Sequence, residues 1–189
     1  MYAGFLDLSV PLHWTVDDAL PPDLCAAYIT RMQRGAAELA PIVGPDGRPL
    51  IEPATRNNTR IMWDDADEAT SLLARVRPQV PPRLSGLTLV GANPRLRLYR
   101  YRQGERHGAH WDTVVELADG VRSLLTLVFY LNENFTGGAT DFVELGAEVT
   151  PKTGRALLFQ HRVMHRACEV GRGEKYVLRT DILYRPETP

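Results

Sequence analysis

Cysteine is nearly missing from this chain: Cys25 and Cys168 are the only two, and they lie far apart. Two distant thiols support neither a disulfide framework nor a cysteine-based zinc site, and they fit a reducing compartment. Long apolar runs are missing too. The longest, residues 124–131, falls well short of the roughly 20 residues a membrane helix needs. The first residues show no basic segment leading into an apolar one, and Asp7 interrupts what hydrophobicity there is, so a cytoplasmic protein without membrane association is expected. No sign of charge dominates. The 22 basic and 23 acidic residues leave a net charge of −1, which gives no reason to expect nucleic acid as a partner. Lysine is scarce, with Lys152 and Lys175 alone among the basic residues. The one local excess, Arg95, Arg97, Arg100, Arg102 and Arg106, reads as a strand bearing solvated arginines. Internal repeats and low-complexity tracts are absent.

What is present is ordinary for a globular fold: 189 residues, 44% of them hydrophobic and 24% charged. That length is expected to form one domain over 1–189 and to bury about 70% of the unfolded surface. Residues 1–85 read as helical support with a substrate loop. After Pro21 and Pro22, suited to a first helical turn, Leu24, Tyr28, Ile29 and Met32 recur at helical spacing. A second helix is predicted from Asp65, where Asp65 and Glu68 have capping-box spacing, to a stop at Pro78. Residues 44–53 and 56–63 read as loops. From residue 86 the pattern changes to short β-favouring runs, with strands predicted at 96–102, 123–132, 139–145, 155–160 and 175–185 and shorter ones around His110 and His165. The fold class expected is mainly β with flanking α: a jelly-roll, cupin-like core with the N-terminal helices packed on one sheet.

His110-Trp111-Asp112 puts an imidazole and a carboxylate two residues apart, on one face of an extended segment. A rolled sheet can bring His165 across to them. Two imidazoles and one carboxylate with the remaining positions open form the facial triad of non-haem Fe(II) oxygenases. Taken alone this is a pairing that five histidines and 23 acidic residues offer by chance.

The neighbourhood is more specific. Leu96-Arg97-Leu98-Tyr99-Arg100-Tyr101-Arg102-Gln103-Gly104 leads into His110-x-Asp112; Leu127-Val128-Phe129-Tyr130-Leu131-Asn132 leads into Gly137-Gly138-Ala139-Thr140-Asp141-Phe142. Gly154-Arg155-Ala156-Leu157-Leu158-Phe159-Gln160-His161 is followed by His165 and then by Gly173-Glu174-Lys175-Tyr176-Val177-Leu178-Arg179-Thr180-Asp181. In order and spacing these four blocks resemble the prolyl-4-hydroxylase-like 2-oxoglutarate and Fe(II)-dependent dioxygenases. Residues 1–85 add little to the likeness.

The resemblance implies a double-stranded β-helix and Fe(II) held by His110, Asp112 and His165. It implies 2-oxoglutarate and O2 as co-substrates, with ascorbate in support, and hydroxylation of an unactivated C–H bond with release of succinate and CO2. It puts the basic co-substrate residue at Lys175, ten residues after His165, the co-substrate hydroxyl at Tyr130, and a tyrosine near the co-substrate at Tyr101, nine residues before His110. A buried carboxylate needs a fixed cation, and Arg179 shares the parity of Lys175, so either could hold it, with both expected in the pocket. Arg97 shares the face of Tyr99 and Tyr101, where it could serve an anionic group. His107 stands where relatives often carry an aromatic residue and reads as a rim residue; His161 is expected not to be a ligand. Asn58 and Arg60 are the further substrate candidates, beside Trp63 near the barrel mouth. The substrate is expected to be a small molecule, an amino acid or a peptide side chain. Two other readings stay open, a zinc hydrolase using the same three ligands and a non-catalytic binding barrel. Metal affinity is expected to fall in acid as His110 and His165 protonate.

Overall fold

Sequence and structure agree on the order of the long strands and differ on the first third of the chain. The computed structural model describes residues 6–187; the ends of the expected 1–189 unit lie outside the described residues. The chain opens with β1 (His13–Val16), α1 (Pro22–Arg34), β2 (Glu38–Leu39), β3 (Ile42–Val43), β4 (Pro49–Leu50), β5 (Thr59–Asp64) and α2 (Ala66–Ala74). It continues through β6 (Arg83–Leu84), β7 (Leu87–Ala92), β8 (Arg95–Tyr101), β9 (His107–His110) and β10 (Arg122–Tyr130). The last elements are β11 (Thr136–Gly137), β12 (Thr140–Phe142), β13 (Ala147–Val149), β14 (Ala156–Gln160), β15 (His165–Ala167), β16 (Val170–Arg172) and β17 (Lys175–Arg185).

The large antiparallel sheet runs β1-β14-β10-β17-β8-β5-β2, and the second half of β17 pairs with β7 where β8 leaves off. A four-stranded sheet, β13-β12-β15-β9, faces it. Period-two alternation along the central strands decides which side of the large sheet each residue serves. On one side Leu96, Leu98, Leu125, Leu127, Phe129, Leu178 and Ile182 pack against Cys25, Tyr28 and Met32 of α1 and Ala69, Leu72 and Leu73 of α2. On the other Tyr99, Tyr101, Tyr130 and Val177 turn toward Phe142 and Val149 of the small sheet. The result is the rolled double sheet that the spacing of the strands predicts, with both helices on one face.

Helix α1 starts at Pro22 as expected, and α2 is capped by Asp65, whose carboxylate accepts the Glu68 N–H at 2.8 Å. That helix ends at Ala74, before the expected stop, and a short 3-10 turn at Arg77–Gln79 carries the chain past Pro78. The predicted loop over 56–63 is corrected: Thr59–Asp64 forms β5, paired along its whole length with β8. Ile61 and Trp63 reach the helix-side core from it, while the polar residues between blur the alternation that a sequence pattern needs. β1, unforeseen as well, closes the other edge against β14. Residues 44–53, read as loop, carry one arm of the small β3–β4 hairpin.

Candidate functional site

The facing sheets bring three donors together across one strand pair. His110 ends β9, His165 begins β15, and the two are register partners. Asp112 follows β9, fixed by its N–H, which donates to the His161 carbonyl at 3.0 Å. His110, Asp112 and His165 place one donor atom each within 4.8 Å of one another, the geometry of a group that could hold a metal ion. Each imidazole Nε2 lies 3.8 Å from one carboxylate oxygen of Asp112.

Both rings are oriented by backbone. Nδ1 of His110 meets the Gly108 carbonyl at 2.8 Å and Nδ1 of His165 the Val163 carbonyl at 3.0 Å. A carbonyl can only accept, so each Nδ1 carries the proton and each Nε2 presents its lone pair to Asp112. Burial pushes the His110 imidazole down to about 3 and lowers that of His165 as well. Both rings are therefore neutral well below the pH at which free histidine protonates, which moves the expected acid loss of metal affinity to more acid conditions.

Asp112 is tied on both oxygens. Thr126 donates its hydroxyl at 2.5 Å to one, and Arg179 contacts the other at 2.8 Å. Burial alone would raise this carboxyl; the Arg179 guanidinium and neighbouring imidazoles outweigh it and hold it well below the usual carboxylate range. Arg179 also bonds Asp181 at 3.1 Å, and Asp181 takes Arg97 on its other oxygen at 3.1 Å. Two arginines thus meet two carboxylates. The parity argument brought Arg179 and Arg97 inward, and the structure puts both there against acids of the chain itself; Arg97 does not line the cavity. His161 is not part of the donor group; it packs between Ser123 and Asp181.

A cavity opens beside the donors, lined among others by Tyr99, Tyr101, His107, Tyr130 and Lys175. Lys175, 2% exposed, lies in its wall across β17 from Tyr101, its register partner. Its ammonium donates to the Gly138 carbonyl at 2.5 Å and lies over the rings of Tyr101 and Tyr130, and no carboxylate among the described residues pairs with it. Burial pushes it down to about 7. Gly138 makes the approach possible: at φ 68° a side chain is strained, and a Cβ there would meet the Phe135 ring at 2.9 Å and Lys175 at 3.2 Å. Tyr130 shares a hydroxyl bond with Thr140 at 2.7 Å, and Tyr101 lines the same wall.

The substrate candidates separate. His107 is buried and stacks on His110 with ring centroids 3.6 Å apart, so it belongs to the cavity interior and is corrected from a rim residue. Arg60 lies opposite Tyr99 but its guanidinium is held by Glu38 at 3.1 Å, outside the cavity lining. Asn58 is fully buried and outside the lining as well; it accepts the Arg56 Nε–H at 2.9 Å. Arg56 itself lines the cavity and was missed. Its signal was an arginine next to two asparagines at the foot of a strand, which a sequence pattern reads as solvated.

The donor set fits a ferrous ion, since two neutral imidazoles and a carboxylate share one side and leave the cavity side open, and the lone buried ammonium beyond them fits an anionic ligand. The sequence profile of the 2OG-Fe(II) oxygenase superfamily matches residues 96–180, a stretch that contains all three donors, Tyr130, Lys175 and Arg179. Prolyl 4-hydroxylase subunit alpha-1 from Bos taurus and from Homo sapiens are each 32% identical over 111 residues, covering 50% of this chain and 20% of those proteins. The chain thus spans about a fifth of the length of the curated relatives it matches. Over more than nine-tenths of its length it is similar in fold to solved structures. A Pseudomonas putida prolyl-4-hydroxylase has a TM-score of 0.68 at 22% identity, covering 93% of this chain and 95% of that one. The viral collagen prolyl hydroxylase of Paramecium Bursaria Chlorella virus-1 has a TM-score of 0.67 at 19% identity, covering 94% and 98%. The fold is the double-stranded β-helix of these oxygenases. By these matches the chain is similar to the 2OG-Fe(II) oxygenase superfamily, and within it to the prolyl 4-hydroxylases.

Proposed function

We propose that the protein is an Fe(II)- and 2-oxoglutarate-dependent dioxygenase that hydroxylates an unactivated C–H bond of a small molecule, amino acid or peptide side chain, with O2 consumed and succinate and CO2 released. The observation that carries this reading is the opening of one cavity onto both His110/Asp112/His165 and a buried Lys175 with no acid of its own. Bound together, the iron and the keto acid supply the O2-dependent oxidation, with ascorbate keeping the metal ferrous.

The chain's own residues hold that chemistry in place. Gly108 and Val163 fix the tautomers of the two ligating imidazoles. Thr126 and Arg179 fix the rotation of the Asp112 carboxylate. Lys175 meets the far carboxylate of 2-oxoglutarate, assisted by the hydroxyls of Tyr130 and Tyr101, and the Val128, Phe159 and Val177 side chains keep water from that pairing. Arg179 serves the metal's carboxylate ligand and leaves the co-substrate to Lys175. A zinc hydrolase would need a free general base; the nearby Asp181 is tied by Arg97 and Arg179.

The whole chain 1–189 acts as one catalytic unit in this reading. Two free thiols suit a reducing, cytoplasmic setting. Among the described residues no helix is long and apolar enough to cross a membrane. A solved prolyl hydroxylase from Trichoplax adhaerens, 17% identical with a TM-score of 0.68, carries a hypoxia inducible factor peptide, so the fold admits peptide side chains. The test is succinate formation from 2-oxoglutarate on adding Fe(II) and ascorbate under air. An oxygenase makes succinate that depends on both; a hydrolase or a binding barrel makes none.

A further inference from the structure

The buried charges around the cavity do not balance within the chain, and the imbalance has an address. Asp112 and Asp181 together neutralise Arg179 and Arg97. Two cations in the lining then remain without an acid among the described residues, Lys175 and Arg56. Arg56 is 9% exposed, although a guanidinium so deeply placed is costly when unpaired. Its side chain is held rather than loose. Nε donates to Asn58 at 2.9 Å, one terminal nitrogen donates to the Pro41 carbonyl at 3.1 Å, and the guanidinium carbon lies 4.9 Å from the Tyr99 ring. Those acceptors are all neutral. His107, bridged to Arg56 through the backbone, stacks on His110, while Lys175 stands at Gly138 and Tyr130.

Resting on the oxygenase reading, 2-oxoglutarate brings two carboxylates, one for the metal and one for Lys175. Arg56 is left with neither. We propose that Arg56, held by Asn58 and flanked by Tyr99 and His107, binds the carboxylate of the substrate, and that the substrate is a small carboxylic acid of amino-acid size. Asn58 is then a positioning residue acting through Arg56. A guanidinium accepts a carboxylate through two parallel N–H bonds, and in a site shielded from water such a pair discriminates strongly against an uncharged analogue.

The test uses the full chain loaded with Mn(II) and saturating 2-oxoglutarate under nitrogen, titrated calorimetrically with the twenty free L-amino acids, their N-acetyl forms and the matched carboxamides. At least one acid should bind, with its carboxamide weaker by about tenfold or more. Arg56→Gln should erase that preference, Arg56→Lys should keep part of it, and both should bind 2-oxoglutarate within about twofold of the unaltered protein. Equal binding of acid and amide, or no binding by any acid of the panel, would overturn the assignment without use of a variant. A loss of 2-oxoglutarate affinity of about tenfold or more in Arg56→Gln would also overturn it, by giving Arg56 to the co-substrate. Failure of the unaltered Mn(II) protein to bind 2-oxoglutarate at all would instead remove the oxygenase reading beneath it.

Discussion

The two faces of the central sheet are written by the same strands and obey opposite rules. Along β17 the helix side carries Tyr176, Leu178 and Ile182, while the cavity side carries Lys175, Val177, Arg179 and Asp181. β10 repeats the division, with Leu125, Leu127 and Phe129 toward the helices and Thr126, Val128 and Tyr130 toward the cavity. One face stabilises the fold by burying apolar surface. The other buries charges that cost stability until a ligand meets them, as expected where structure is given over to function.

Substitutions should split along that line. The largest effect belongs to Asp112→Ala, which removes one ligand and leaves Arg179 facing no metal-side acid; Mn(II) binding and succinate formation should both fall below detection, and retained turnover would end the metal assignment. Lys175→Met should follow, with 2-oxoglutarate affinity down about 100- to 1,000-fold by the cost of stripping a buried charge of its partner. Its melting temperature without ligand should hold or rise, because an unpaired buried ammonium has been replaced by an apolar chain of similar length. Leu98→Ala on the opposite face should do the reverse, losing about 2–5 kcal/mol of stability in denaturant titrations while the folded fraction binds 2-oxoglutarate normally. A Lys175→Met protein that is the less stable of these two would break the division of labour.

Smaller effects sharpen it. The Lys175 ammonium is pushed down from its ordinary 10.5 to about 7 in the ligand-free fold, so between those values the unfolded chain binds the extra proton. The penalty is therefore full below about pH 7 and fades as pH rises toward 10.5, and the stability advantage of Lys175→Met should shrink over the same window in pH-dependent melts. The least visible effect is at the histidines. With His110 titrating near 3, Mn(II) affinity should stay level from pH 7 to about 5, where free imidazoles would already have lost most of theirs.

The long strands were legible in the sequence because each is a β-favouring run of five or more residues set between turn-forming ones: β17 is Lys175–Arg185 as expected, and β8, β10 and β14 lie within two residues of their predicted ends. The three donors were legible because spacing and neighbouring blocks agreed. The partners of Arg179 were not, since parity gives a face and cannot say that Asp112 and Asp181 already stand there. Arg56 and β5 were lost for a related reason. Arginine and asparagine look solvated in a sequence, and only the folded chain brings Arg56, bridged to His107, to the Tyr99 ring. The burial of His107 likewise depends on the contact of β9 with β15.

The most direct measurement is a calorimetric titration of 2-oxoglutarate into the full chain with and without Mn(II), under nitrogen. Tight binding that needs the metal, and that is lost when either Asp112 or Lys175 is replaced, is the predicted result. Binding of equal strength without metal, or unchanged in both variants, would contradict it.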